Sequence, residues 1–299
     1  MTAPVWPAAE VPIDEPLVRR LLSDQHPDLA RLPLHLLDAG FDNVIWRLGD
    51  DLALRLPRRE MAAALIEHEQ TWLAVLHEQA PELPVDIPLP IRLGRPAHGY
   101  PWHWSVVPWI EGEPGDRVGP TDVGITARRM GQFLHTMHAL SPDGLPSSPR
   151  RGGPVVTRTD TFEERMKRLT AHVDEDRLRS VWDDAVAAPH HGGRPAWLHG
   201  DLHPANLLVA GGVVVAVIDF GDTCAGDPAC DLGAAWMTVP DEGWPHFWAA
   251  YGPVDPDLVR RSHGWSVLFG LMLLEIGLEN RPTYATVGRA ILRRMAGLA

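Results

Sequence analysis

Cysteine and lysine are nearly missing from this 299-residue chain, which has two of the first (Cys224 and Cys230) and one of the second (Lys167). Two cysteines exclude a disulfide framework and a cysteine-based zinc site, and a reducing, cytoplasmic location is expected. The lone lysine among abundant Arg and Ala reads as a coding bias, not as function. Basic charge is also scarce. Lys and Arg total 27 against 39 Asp and Glu, a net charge of −12. Nucleic acid recruits basic surfaces, so no nucleic-acid partner is expected, and the balance favours cationic or neutral small molecules. Long apolar runs are absent too. The most apolar segment, Trp265 to Leu278, is interrupted by Glu275 and too short to span a bilayer, so no membrane role is expected. No basic, hydrophobic, small-residue leader opens the chain, which predicts no secretory signal. No G-x-G-x-x-G occurs, and His199-x-x-x-His203 lacks the glutamate of the zinc-helix motif and is followed by Pro204, which argues against a continuous helix.

What is present concentrates in one block. His199-Gly200-Asp201-Leu202-His203-Pro204-Ala205-Asn206-Leu207-Leu208 is followed, thirteen residues after Asn206, by Asp219-Phe220-Gly221. Leu207 to Ala210 and Val213 to Ile218 are β-branched-rich runs joined by Gly211-Gly212, a two-residue hairpin signal. That loop sets Ala210 opposite Val213 and Asn206 opposite Val217. Asp219 then becomes a diagonal neighbour of Asn206 on the same face. An amide oxygen and a carboxylate on one side suit hard Mg²⁺ ions that also hold phosphates. Asp201, in the turn just before, is within reach of a substrate hydroxyl. The chemistry predicted is phosphoryl transfer.

With these residues the chain resembles the aminoglycoside phosphotransferase family, a branch of the kinase-like fold, over about residues 35 to 299. The likeness includes Gly226-Asp227-Pro228-Ala229-Cys230-Asp231-Leu232 after the metal motif. The fold it implies is α+β and bilobal, protein-kinase-like, with a small antiparallel-sheet N-lobe and a mainly helical C-lobe. Residues 1–33 form an N-terminal extension that opens with a disordered-looking tail and holds a short helix at 16–23. Residues 34–110 form the nucleotide-binding lobe and 111–299 the catalytic lobe. Gly200 occupies the place of the arginine that clamps a phosphorylated activation loop in protein kinases, which implies an enzyme not switched that way.

In the N-lobe, residues 40–48 and 51–56 flank a Gly49-Asp50 turn and read as a hairpin. Leu52, Leu54 and Leu56 point one way, Ala53 and Arg55 the other. By resemblance, Ala53 roofs the nucleotide base and Arg55 replaces the usual lysine on the α- and β-phosphates; guanidinium can bind phosphate bidentately and keeps its charge. Along a helix predicted at 60–79, Glu69 shares the stripe of Leu65, Trp72 and Leu76, and a carboxylate there wants a cation, for which Arg55 is the candidate. The nucleotide-covering loop is expected at Gly40-Phe41-Asp42-Asn43. The strand after Trp104 implies Val107 as gatekeeper, with the Pro108 carbonyl and the Ile110 amide receiving the adenine edge.

In the C-lobe, a helix at 121–140 with Ile125, Met130, Phe133, Leu134, Met137 and Leu140 at helical spacing reads as core. Residues 150–154 read as a loop, with helices at 161–173 and 176–187. Asp227 and Pro228 open a further helix, and by resemblance Asp231 braces the catalytic loop. His203 supports that loop or touches phosphate. Glu275 and Glu279, at i and i+4 beside an apolar stretch, pair with Arg281 or Arg289, face water, or face the acceptor site with Asp160, where a cationic acceptor would supply the missing charge.

The function implied is transfer of the γ-phosphoryl of ATP or GTP, with Mg²⁺, to a hydroxyl of a small molecule. An aminoglycoside, macrolide or similar antibiotic comes first. A metabolic kinase of the choline, homoserine or sugar type is the alternative, and a nucleotide-binding pseudokinase regulator a third reading that the intact Asp201, Asn206 and Asp219 set opposes.

Overall fold

A computed structural model describes residues 8–40, 42–140 and 143–297. Residues 1–7, where the N-terminal extension was expected to open with a tail, and Phe41 of the expected covering loop lie outside the described residues. The chain divides into two compact units. One runs through Glu82 and takes up Ile87–Glu111 and Asp219–Gly221; the other holds Leu83–Asp86, Gly112–Ile218 and the chain from Asp222 onward.

The first unit opens with α1 (Glu15–Gln25). Its start is fixed by Asp14, whose carboxylate accepts the Leu17 N–H at 2.9 Å, and by a proline in the first turn. A five-stranded antiparallel sheet follows, made of β1 (Leu34–Ala39), β2 (Asn43–Leu48), β3 (Leu52–Pro57), β4 (Arg92–Gly94) and β5 (Trp104–Pro108), in the order β1-β2-β3-β5-β4. One sheet face carries Val44, Trp46, Leu48, Leu54 and Leu56, and these form one core with Leu17, Val18, Leu21 and Leu22 of α1. Each such leucine taken fully out of water contributes about 1.5–3 kcal/mol. The opposite face holds Ala53, Arg55, Ser105 and Val107, paired Ala53 to Val107 and Arg55 to Ser105. Over it lies α2 (Glu60–Gln79), whose Gln70 amide donates to the Ser105 hydroxyl at 3.0 Å. The buried stripe of α2 is Ala62, Ile66, Glu69, Leu73 and Leu76, whereas Leu65 and Trp72 lie half-buried at its edge. The expected stripe was thus rotated by about one residue, with Glu69 and Leu76 common to both.

The second unit is mainly helical. Its strands are β6 (Glu113–Pro114), β7 (Ala196–Leu198), β8 (Leu207–Ala210), β9 (Val213–Val217) and β10 (Cys224–Gly226), forming a β6-β8-β9 sheet and a β7-β10 pair. Its helices are α3 (Val123–Ala139), α4 (Thr159–Leu169), α5 (Glu175–Ala187), α6 (Ala229–Thr238), α7 (Trp244–Tyr251), α8 (Pro256–Glu279) and α9 (Pro282–Met295). α8 packs against α4, α5, α6 and α9, and α3 against α7. In α3, Met130, Phe133, Leu134 and Met137 are fully buried, but Ile125 in the first turn is 40% exposed, because Thr126 and Ala127, not Ile125, take the buried face of that turn. Among the described residues no helix is long and apolar enough to cross a membrane.

The β8–β9 hairpin corrects one sequence expectation. Ala210 does face Val213, but Val209 pairs with Val214 and Leu208 with Ala216, so Val215 is an extra residue and Leu207, not Asn206, stands opposite Val217. The bulge has a local cause. The Val215 carbonyl accepts the Asp86 N–H at 2.8 Å and the Asp86 carbonyl accepts the Val217 N–H at 3.0 Å, so β9 bends to engage a second segment. Asn206 is carried opposite Ile218, whose N–H donates to its carbonyl at 2.9 Å.

Candidate active site

In the first unit the site begins with Arg55 in the middle of β3, beneath α2. Arg55 is 9% exposed and Glu69 1% exposed. The Arg55 guanidinium donates to Glu69 Oε1, while Glu69 Oε2 accepts the Phe220 N–H at 3.1 Å. Asp219 Oδ1 lies 3.6 Å from the other terminal nitrogen of Arg55. Burial opposes the Arg55 charge, but Glu69 and then Asp219 outweigh it and hold the guanidinium above its ordinary pKa. The guanidinium therefore stays charged at any working pH. Asp219 adopts a left-handed backbone (φ 67°) and its side chain is 45% exposed. Gly221 follows because a Cβ there would sit 2.9 Å from Leu65 Cβ, and no side chain fits under α2.

Ala53 and Val107 are buried side by side in β3 and β5. Beyond β5 the Trp109 N–H is taken by the Asp51 carbonyl at 2.7 Å, whereas the Ile110 N–H has no hydrogen-bond partner among the described residues. A free donor at Ile110 is what an adenine edge needs.

In the second unit β7 delivers the loop His199-Gly200-Asp201. Asp231, in the first turn of α6 and 1% exposed, accepts the His199 N–H at 2.7 Å and the Gly200 N–H at 2.9 Å. Buried main-chain donors are satisfied by a single carboxylate, which locks the loop just before Asp201. Burial disfavours the Asp231 charge; the His138 hydrogen bond and the loop amides overcome this and lower its pKa. Gly200 is required twice over. Its φ is 84°, and a Cβ would lie 2.4 Å from the Asp222 carbonyl oxygen. His199 accepts the Asp201 N–H at Nδ1 (3.2 Å) and directs Nε2 to the Ile218 carbonyl (3.1 Å).

Asp201 itself is held by side chains. Arg151 donates to Oδ1 at 2.9 Å, and His203 Nε2 lies 3.6 Å from Oδ2. Desolvation would raise the Asp201 pKa, but His203, Arg151 and His199 together place it below the usual aspartate value. The Asn206 amide donates to the Asp201 carbonyl at 2.9 Å, so its side-chain oxygen is left without a hydrogen-bond partner among the described residues. His203 Nδ1 accepts the Ala205 N–H, and its ring meets Tyr284 edge-on at 5.4 Å. Behind the loop, Asp227 accepts the Ala229 N–H at 3.0 Å and pairs with buried Arg261 at 2.7 Å, the helix-opening role expected of it. Cys224 and Cys230 are buried free thiols; burial pushes Cys224 up to about 12 and removes it from reactive chemistry.

Arg151 was missed in the sequence. It sits in a Pro-Arg-Arg-Gly-Gly-Pro stretch with no periodicity, fifty residues from its partner. The usable signal was the adjoining Gly152. A Cβ there would meet Leu198 at 2.4 Å, because the loop lies directly on β7, and its carbonyl accepts the Asp227 N–H at 2.7 Å.

The ion-pair partners expected for Glu275 on α8 are corrected. Glu275 receives Arg165 at 3.0 Å and also Arg168, both from α4, rather than Arg281 or Arg289. The charge that a cationic acceptor was to supply is already supplied by the chain. Glu279 and Asp160 are exposed.

The sequence profile described as APH, phosphotransferase enzyme family, matches residues 34–260. Among solved structures the chain is similar to the GDP complex of wild-type aminoglycoside 2'-phosphotransferase-IIIa, with TM-score 0.70, 19% identity, and 95% of this chain and 99% of that one covered. The GDP and kanamycin complex of APH(2")-IIia gives TM-score 0.68 at 20% identity, covering 94% and 98%. Macrolide 2'-phosphotransferase MphH from Brachybacterium faecium gives 0.62 at 23%, covering 95% and 98%. Comparison with curated proteins finds no relative. At this level of identity the solved structures establish the kinase-like fold, with its antiparallel N-terminal sheet and helical C-terminal part. The profile match spans most of the sequence, and the chain belongs to the phosphotransferase enzyme family.

Proposed function

We propose that the chain transfers the γ-phosphoryl group of ATP or GTP to a hydroxyl of a small molecule, with an antibiotic of the aminoglycoside or macrolide type as the first acceptor class. The Asp201 loop carries this reading. Its main chain is fastened by Asp231 and Asn206, and its carboxylate is kept ionised by His203 and Arg151. An ionised, immobile carboxylate accepts the acceptor's hydroxyl hydrogen and aims its oxygen; its lowered pKa makes it a weak base, suited to a loose transition state in which positioning dominates. Arg55, fixed by Glu69, takes the nucleotide phosphates. Ala53 and Val107 lie against the base, with the Pro108 carbonyl and the Ile110 N–H at its edge.

Asn206 of the second unit and Asp219 of the first are each the kind of donor that Mg²⁺ takes. The Asn206 oxygen makes no hydrogen bond, and the Asp219 carboxylate has only the 3.6 Å contact to Arg55 among the described residues. Both are hard oxygen donors, and Mg²⁺ uses one or two protein ligands alongside substrate phosphates and water, so the lack of a three-ligand cluster among the described residues agrees with it. When bound, the ion supplies charge neutralisation on the phosphates. Nucleotide use is supported by solved relatives described as GDP or ADP complexes, and the acceptor class by kanamycin and gentamicin complexes. A cytoplasmic location agrees with the need for ATP or GTP.

A second reading, a metabolic kinase for a hydroxyl compound, is favoured by one observation. Glu275 is neutralised by Arg165 and Arg168 and offers a polycation nothing. Nucleotide-consumption assays of the purified chain with Mg²⁺ against aminoglycosides, macrolides, choline, homoserine and sugars test both readings, and drug susceptibility of expressing cells separates them. Nucleotide binding without turnover on any hydroxyl would refute phosphotransfer and leave a regulator.

A further inference from the structure

The chain is acidic overall, at −12, yet Arg150, Arg151, Arg158, Arg165 and Arg168 lie on the loop before α4 and on α4 itself, and one face of α8 gathers them: residues 155–158 pack on α4 and α8, α4 packs on α8, and Arg151 lies over the Phe269 ring of α8. Their carboxylate partners run out. Arg151 is bound to Asp201, Arg165 and Arg168 converge on Glu275, and the one further carboxylate, exposed Glu164, reaches Arg168 at 4.0 Å. Arg150 and Arg158 make no ion pair among the described residues. Arg150 is exposed and water suffices for it. Arg158 is half-buried, and its Nε is shut from solvent with no hydrogen-bond partner, as is the Nε of Arg151.

Desolvation, then the charges of Arg151, Arg165 and Arg150, hold Arg158 below its ordinary pKa, so its electrostatic surroundings are dominated by cations. A guanidinium nevertheless stays charged at neutral pH. Half-buried like charges with an idle donor are costly unless an anion completes them. The matching group is a planar carboxylate or a phosphate, which a guanidinium fork binds with two parallel hydrogen bonds.

We propose that Arg158, with Arg151 and Arg150, forms an anion-binding subsite next to Asp201 that takes a carboxylate or phosphate group carried by the hydroxyl acceptor. With Asp201 as the residue that receives the acceptor hydroxyl, as proposed above, the subsite favours the second reading given there over the antibiotic one, and the acceptor class becomes a hydroxy acid or a phosphorylated polyol. A polycationic acceptor would meet like charge there. The γ-phosphate of the nucleotide has the same chemistry and is the other source of an anion.

The test uses the full chain as wild type, Arg158→Gln and Arg158→Lys. Nucleotide-free protein is titrated calorimetrically with inorganic phosphate and with glycerate, glycerol being the neutral control. Steady-state transfer from Mg·ATP is then measured to glycerate, glycerol 3-phosphate, homoserine, glycerol and kanamycin. Wild type is expected to bind the anions and not glycerol, and to show its lowest acceptor KM among the anionic compounds. Arg158→Gln should weaken anion binding and raise that KM by roughly 10- to 100-fold, the worth of a charged hydrogen bond, with nucleotide KM unchanged. Arg158→Lys should restore part of the loss, having the charge without the fork. Because its neighbours are cations, Arg158→Gln should melt no lower than wild type, whereas an arginine with a merely structural role would lose stability. A rise in nucleotide KM instead would assign the cations to the γ-phosphate and overturn the subsite. So would wild type that binds no anion, or that prefers glycerol or kanamycin. Failure of transfer to every acceptor strikes the phosphotransfer reading alone, since the anion titration still decides the subsite.

Discussion

Glu69→Gln removes one charge from a pair that the fold buries almost completely. Glu69 is 1% exposed and Arg55 9% exposed, so water cannot replace the lost carboxylate. Breaking one member of such a pair costs about 3–5 kcal/mol, because the remaining charge is stranded. Two features moderate the value. The glutamine oxygen can still accept the Phe220 N–H, which spares about 1 kcal/mol, and Asp219 stands 3.6 Å from the free guanidinium nitrogen. A loss of about 2–4 kcal/mol is therefore expected, or about 1–2 M in urea midpoint at an m-value near 2 kcal/mol/M. Arg55 would turn toward Asp219, so Mg·ATP affinity should fall at least tenfold. The double variant Arg55→Met/Glu69→Leu separates the two effects, since apolar replacements of both partners leave no stranded charge. Its stability should return to within about 1 kcal/mol of wild type while nucleotide binding stays lost. Urea unfolding followed by tryptophan fluorescence, with calorimetric titration of Mg·ATP, measures both. A Glu69→Gln protein with unchanged midpoint and unchanged affinity would refute the buried-pair reasoning.

Asp201→Asn should keep nucleotide binding and lower kcat by about 10²–10⁴, the range for a positioned general base; near-wild-type turnover would remove Asp201 from the reaction. Its lowered pKa means that the ion pair's stabilisation is complete above the unfolded aspartate value near 3.9 and is lost as pH falls through the lower folded-state value. Arg151→Met removes one of the groups that lower it, so the acid limb of the kcat profile should move to higher pH; a profile that does not move would show that Arg151 leaves Asp201 untouched. Asp219→Ala should abolish the Mg²⁺ dependence of nucleotide binding, whereas Asn206→Ala should impair turnover more than binding, both read by calorimetry with and without Mg²⁺. Gly200→Ala places a Cβ 2.4 Å from the Asp222 carbonyl at φ 84°. A loss above about 2 kcal/mol by thermal unfolding is expected, and a stable, active variant would contradict that geometry.

The sequence by itself determined whatever depends on spacing within one element. Alternation along 52–56 set Arg55 and Ala53 on the face opposite the leucines, and the 3.6-residue period along 60–79 turned Glu69 inward, because strand and helix geometry convert position into direction without knowledge of neighbours. Asp201, Asn206 and Asp219 were singled out by their spacing along one short stretch of chain, but the shared face inferred for Asn206 and Asp219 rested on a hairpin register that the structure does not have. Tertiary structure decided the rest. The hairpin register slipped at Val215 because Asp86 claims hydrogen bonds from β9, which nothing inside the hairpin foretells. Arg151 reached Asp201 because Gly152 lets its loop lie on β7, and Glu275 was neutralised because α4 packs on α8. In each case the partner comes from a distant part of the chain, and only packing brings an aperiodic loop or a second helix close enough to set the charge around Asp201 and Glu275.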